Sequence, residues 1–120
     1  MVVATIVVFC ATGSASAALS IKFDGPAGAG QTSPTSPAAG KISATGEYDN
    51  AGVGSFSLTC YYREKDTDPW TAMLTSLNPM MKTWSASVAG LPSKKTYKVK
   101  AVIRTATQMQ ETDVRSVTTQ

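Results

Sequence analysis

The clearest pattern in the chain is a double alternation between residues 84 and 104. Trp84, Ala86 and Val88 share one parity. Tyr97, Val99, Ala101 and Ile103 share one parity in a second run. A period of two places successive side chains on opposite faces, so each run predicts a half-buried strand. Gly90-Leu91-Pro92 lies between them. Pro92 ends the first strand, and Leu91 is expected to drop into the core. The same alternation recurs upstream. Phe56, Leu58, Cys60 and Tyr62 alternate with Ser57, Thr59, Tyr61 and Arg63. Ile42, Ala44, Gly46 and Tyr48 alternate with Ser43, Thr45 and Glu47, and Leu19, Ile21 and Phe23 with Ser20, Lys22 and Asp24. The expected core gathers Trp84, Leu91, Tyr97, Val99 and Ile103 with Phe56, Leu58, Cys60 and Tyr62.

Breaks separate these runs. Residues 49–54 are turn-rich, residues 64–69 form a charged hairpin loop, and Trp70 begins a return strand. Met73, Leu74 and Leu77 lead to an Asn78-Pro79 turn, and Met80 and Met81 read as flexible core filler. Residues 105–112 read as a polar loop and 113–119 as the last strand. Residues 25–40 hold three Pro, four Gly and no charge. That composition fits a tether, or an irregular loop of the same domain. If it is a tether, residues 19–24 reach either their own sheet edge or that of a neighbouring copy, giving a homo-oligomer.

Two stretches carry a family resemblance. The run from Trp84 through Leu91-Pro92 to Tyr97 and Arg104 resembles the E strand, Leu-Pro corner and F strand of a fibronectin type III domain. Tyr61-Tyr62-Arg63-Glu64, a polar loop and Trp70 resemble the C strand, loop and C′ strand of that family. One position departs: the family usually carries a Trp on its B strand, where this chain holds Tyr48. The resemblance covers roughly residues 41–120. It implies an all-β, two-sheet antiparallel sandwich, immunoglobulin-like, of about seven strands. The expected function is a non-enzymatic module for adhesion, scaffolding or protein binding at the cell surface, with a self-assembling extracellular fibre or surface subunit as an alternative. A shared sandwich fixes no ligand, because function resides in sites grafted onto folds.

Composition narrows the function classes. The chain has 120 residues, 42% hydrophobic and 16% charged, which suits one domain with one core. Its formal charge of +3 is too mild to imply nucleic acid. No His is present, which removes the commonest general base and metal ligand. No phosphate loop, nucleophile elbow, Asn-x-Ser/Thr sequon or Arg-Gly-Asp occurs. Asp66 and Asp68 lack the Gly and terminal Glu of a calcium loop, so they read as a solvated turn. No enzyme, cofactor or metal is expected.

Residues 1–9 are apolar apart from Thr5, and Ala15-Ser16-Ala17 follows. The strongly apolar part is about ten residues against the roughly twenty of a spanning helix. A signal peptide over residues 1–17, cleaved before Ala18, is therefore expected over a membrane span, and with it a secreted or extracytoplasmic location. No Lys or Arg precedes the apolar run, which departs from an ordinary signal peptide. Cys10 falls inside that segment, leaving Cys60 as a single buried thiol with no intrachain disulfide.

The one chemical constellation above background is basic. Lys98, Lys100 and Arg104 share the outward parity of their run, with Lys94 and Lys95 just before it. In the resembled topology the strand with Tyr61 and Arg63 lies alongside. One sheet face would then carry Tyr61, Arg63, Lys98, Lys100 and Arg104. Such a face predicts a ligand-binding surface that holds an acidic glycan or another polyanion. The bland alternative is a solvated face whose lysines resist aggregation.

Overall fold

The structure is a computed structural model, and it describes residues 18–120. The expected signal peptide, with Cys10, lies outside the described residues. Among the described residues nine strands form: β1 Ser20–Phe23, β2 Ile42–Asp49, β3 Ser57–Arg63, β4 Thr71–Ala72, β5 Leu74–Asn78, β6 Thr83–Val88, β7 Thr96–Arg104, β8 Met109–Glu111 and β9 Arg115–Thr118. They make two antiparallel sheets, so the chain is an all-β sandwich. One sheet has the order β1-β2-β6-β5. The other has the order β9-β7-β3-β4, with β8 also paired to β7.

The two runs that dominate the sequence fall in different sheets. β6 pairs with β2, Ala44 opposite Ala86, and β7 pairs with β3, Cys60 opposite Ala101. The residues after Gly90 therefore carry the chain across the end of the sandwich. Trp84, Tyr97, Val99, Ile103, Leu58 and Cys60 are buried in the core, as their parity predicts. Leu91, Phe56 and Tyr62 are only partly buried against it. Leu91 is held at the rim because its amide donates to the Gly40 carbonyl at 3.0 Å.

Residues 18–40 belong to this sandwich. β1 pairs with its own β2, Phe23 opposite Gly46, and Leu19, Ile21 and Phe23 are buried. In this arrangement the apolar face of β1 packs into the core of its own chain. The Gly/Pro/Ser-rich segment then lies along the sandwich as an ordered loop. The Ser33 hydroxyl accepts from the Thr45 amide and donates to the Thr45 carbonyl, both at 2.8 Å. Thr35 pairs with Ser43, and Gln31 Nε2 donates to the Ser116 carbonyl at 2.9 Å. Arg115, itself buried, donates to the Ser33 carbonyl at 2.9 Å and lies over the Phe23 ring.

Two side chains let the chain change course without orphaning backbone groups. Between β4 and β5 it leaves one sheet for the other at Met73, whose amide donates to the Cys60 carbonyl at 2.8 Å. The Thr75 hydroxyl accepts from the Cys60 amide at 3.2 Å and donates to the Met73 carbonyl at 3.1 Å. On the opposite edge, the residues expected as a polar loop include β8, and β8 and β9 share one side of β7. Thr112 bridges them: its hydroxyl accepts from the Ala101 amide at 2.9 Å, standing in for a ladder carbonyl. Met73 is core, whereas Met80 and Met81 are exposed, so the methionine cluster fills the core only in part.

Strand registers also define the ends of the sandwich. Ser20 lies opposite Asp49, Glu47 opposite Thr83, and Asn78 opposite Thr83. Residue 18 and the β5–β6 turn are thus at one pole. Thr118 lies opposite Thr96, at the start of β7, so the described chain leaves at the other pole.

Candidate binding face

The outer surface of the five-stranded sheet carries the residues singled out in sequence. Tyr61 lies opposite Lys100 and Arg63 opposite Lys98 across the β3–β7 pair. Adjacent strands lie roughly 4.8 Å apart, so these four side chains share one outward patch. Arg104 lies opposite Ser57 at the far end of β7, four residues and about 13 Å beyond Lys100. The structure brings four of the five residues together and places Arg104 at a pole.

Trp70 joins the patch. Ala72 pairs with Tyr61, so Trp70, of the same parity, falls on the same face. Its ring lies 4.2 Å from the Arg63 guanidinium carbon and 4.7 Å from Lys100 Nζ. An indole facing two cations is favoured by the ring quadrupole. The arrangement also leaves Arg63 Nε buried without a hydrogen-bond partner. Sequence marked Trp70 only as the start of a return strand. Its parity with Ala72 and Tyr61 was the signal that places it on this face.

The face is not uniformly basic, and this corrects the sequence expectation. The 64–69 loop folds its carboxylates back over the sheet. Asp66 accepts from Lys98 and lies 3.9 Å from Arg63 Nη2. Glu64 lies 3.3 Å from Lys95, and Glu111 of β8 lies 2.9 Å from Lys100. The Lys98 hydrogen bond, with its charge, holds the Asp66 carboxyl below the ordinary carboxylate range. Among the described residues, Arg104 alone of the four cations singled out has no carboxylate within salt-bridge distance; its Nη2 lies 3.3 Å from Met109 Sδ. The result is a zwitterionic patch around a half-buried indole.

Elsewhere the chemistry is sparse. Among the described residues, no three His, Cys, Asp or Glu side chains gather as a metal site. No described helix is long and apolar enough to cross a membrane. Cys60 is fully buried, and loss of hydration pushes its thiol up to about 12. A nucleophilic thiolate is therefore inaccessible near neutral pH. Native protein at pH 8 should resist iodoacetamide, and the same protein in denaturant should be alkylated at Cys60. Rapid native labelling at Cys60 would mean that β3 opens locally.

Comparison with protein-family models and with curated proteins finds no match for this chain.

Proposed function

We propose that this chain is a non-enzymatic extracytoplasmic binding module that docks a protein partner on the Trp70 face. The observation that carries this reading is the indole held against Arg63 and Lys100 within a ring of ion pairs. Protein interfaces concentrate energy in a few aromatic and Arg anchors, surrounded by polar groups that exclude water. Trp70 and Arg63 meet that description and are pre-positioned by β3 and β4. Residues 1–17 supply the export argument. The strand order supports kinship with immunoglobulin-like sandwiches, which pair A, B, E and D in one sheet and C, F and G in the other. With the motifs around Trp84 and Leu91, it also supports the fibronectin type III reading.

The test compares wild type with Trp70→Ala as bait in the extracellular fraction of the source cells. Ser85→Ala, on the opposite sheet, is the control. A partner retained by wild type and by the control, and lost with Trp70→Ala, is then purified and titrated directly. A loss of about tenfold or more in affinity is expected for removing a central aromatic anchor. Identical partner sets for all three baits would defeat the proposal. An acidic-glycan ligand would have to displace Asp66, Glu64 and Glu111 from their lysines. Retention on heparin at physiological salt would favour that reading over a protein partner.

A further inference from the structure

We propose that β5 is a dimerisation edge, pairing antiparallel with the β5 of a second copy about a two-fold axis at Ser76. β5 is an outermost strand of the four-stranded sheet and pairs there with β6. In an antiparallel ladder alternate residues turn their amide and carbonyl to one side, so half of its main-chain groups point outward. Among the described residues, no amide or carbonyl of Leu74–Asn78 bonds to a group outside the β6 ladder. Folded proteins ordinarily blunt such an edge with charge, Pro, shortness or cover. The other edges here follow that rule. β1 presents Lys22, and β4 is two residues long just after Pro69. β8 has three residues and presents Glu111, and β9 has its Ser116 carbonyl taken by Gln31. β5 has five residues, no charge and no Pro.

The placement of apolar groups along this edge identifies the occupant. Among the described residues seven large apolar side chains are exposed, and four of them, Leu74, Leu77, Met80 and Met81, lie on β5 and the turn after it. Leu74, 79% exposed, begins the strand, and Met80, 94% exposed, follows its end. A two-fold at Ser76 sets Leu74 of each copy opposite Asn78 of the other, beside the methionine turn, and Thr75 opposite Leu77. An edge with apolar groups at both ends thus meets its own complement when reversed. Such an isologous contact closes at two copies and does not propagate. Flexible methionines suit the covering of an exposed leucine. Charge permits the pairing. No charged side chain lies between Asp68 and Lys82. Lys82 lies 3.9 Å from Asp49, Glu47 lies 3.5 Å from Lys22, and Arg104 belongs to the five-stranded sheet. No like charges therefore face each other across the axis. A short strand pair is smaller than a standard interface, so the dissociation constant should be about micromolar or weaker.

The experiment is sedimentation equilibrium of the purified full chain, over a concentration series reaching several hundred micromolar. Wild type should pass from monomer to dimer. Ser76→Lys and Ser76→Glu should each weaken association by about tenfold or more, because the new charge meets its like across the axis. Mixed in equal amounts, the two variants should recover a dimer, since Lys then faces Glu. The Ser76 side chain is exposed, so both variants keep the fold, and unchanged emission from buried Trp84 verifies it. Wild type that stays monomeric throughout overturns the proposal and leaves the edge to a strand of another protein. So does a dimer that either Ser76 variant leaves intact, which moves the contact to another surface. A mixture that fails to dimerise also overturns it, by excluding a two-fold at Ser76.

Discussion

Gly46→Ala should destabilise the sandwich by about 3–5 kcal/mol, adding overpacking to the loss of a buried hydrogen bond. Gly46 sits mid-strand in β2, between Phe23 of β1 and Trp84 of β6. A Cβ there would lie 2.0 Å from the Lys22 carbonyl oxygen and 2.5 Å from Trp84 Nε1. Neither neighbour yields easily. The carbonyl is the backbone of β1. The indole is buried, packs against Phe23 with centroids 5.6 Å apart, and donates to that same carbonyl at 3.3 Å. The methyl must therefore push β1 off the sheet or turn the indole out of its site. Denaturant unfolding decides it, with Gly54→Ala as comparator, since a Cβ at Gly54 meets nothing within 4 Å. The penalty should shrink when Trp84 is already Phe, because the two sites share one space. A cost below about 1 kcal/mol would mean that the indole does not occupy this position.

Arg115→Met should be the next most damaging change, at about 2–4 kcal/mol, discounted because its carboxylate partner is half exposed. Arg115 Nε lies 2.8 Å from Asp113 Oδ2, whose side chain is 53% exposed. Nη1 donates to the Ser33 carbonyl at 2.9 Å and to the Asp24 carbonyl at 3.4 Å, and the guanidinium lies 4.9 Å from the Phe23 ring centre. One side chain thus fastens β9, the end of β1 and the 25–40 loop together. Its loss should first be visible as faster proteolysis within residues 25–40, ahead of global unfolding. Arg115→Lys should rescue little, since an ammonium cannot reproduce the planar fork that reaches three segments. Unchanged cleavage within that loop would show that it is held by Ser33 and Gln31 alone.

Both residues mark the boundary of what the chain discloses. The strands were legible because alternation is local, and Trp84 to Val88 or Tyr97 to Ile103 declare a buried face without reference to anything else. Arg115 was half legible: it shares parity with Val117, so the pattern places a guanidinium on the core side of β9. What it binds there, two backbone carbonyls 82 and 91 residues upstream, leaves no mark in sequence. The same holds for the 25–40 segment. Its Gly and Pro content describes a tether and an ordered loop equally well, and the deciding bonds run from Ser33 to Thr45 and from Gln31 to Ser116. On the Trp70 face, parity supplied Tyr61, Arg63, Lys98 and Lys100. Their acidic partners come from a loop and from β8, so the charge balance depended on tertiary folding. Met80 and Met81 show the opposite failure. Hydrophobicity suggested the core, but a tight turn after Asn78-Pro79 leaves both side chains outside.

The placement of residue 18 and residue 120 at opposite poles has a mechanical meaning. Tension applied between them runs along the strands, not across them. At one end it drags β1 lengthwise past β2, and at the other it drags β9 past β7. Each strand must then break its inter-strand bonds together instead of peeling them one at a time. Lifetime under such a load is set by the forced unfolding rate and not by equilibrium stability. A load carried between these two ends would therefore pull on this sandwich in the direction in which it resists best.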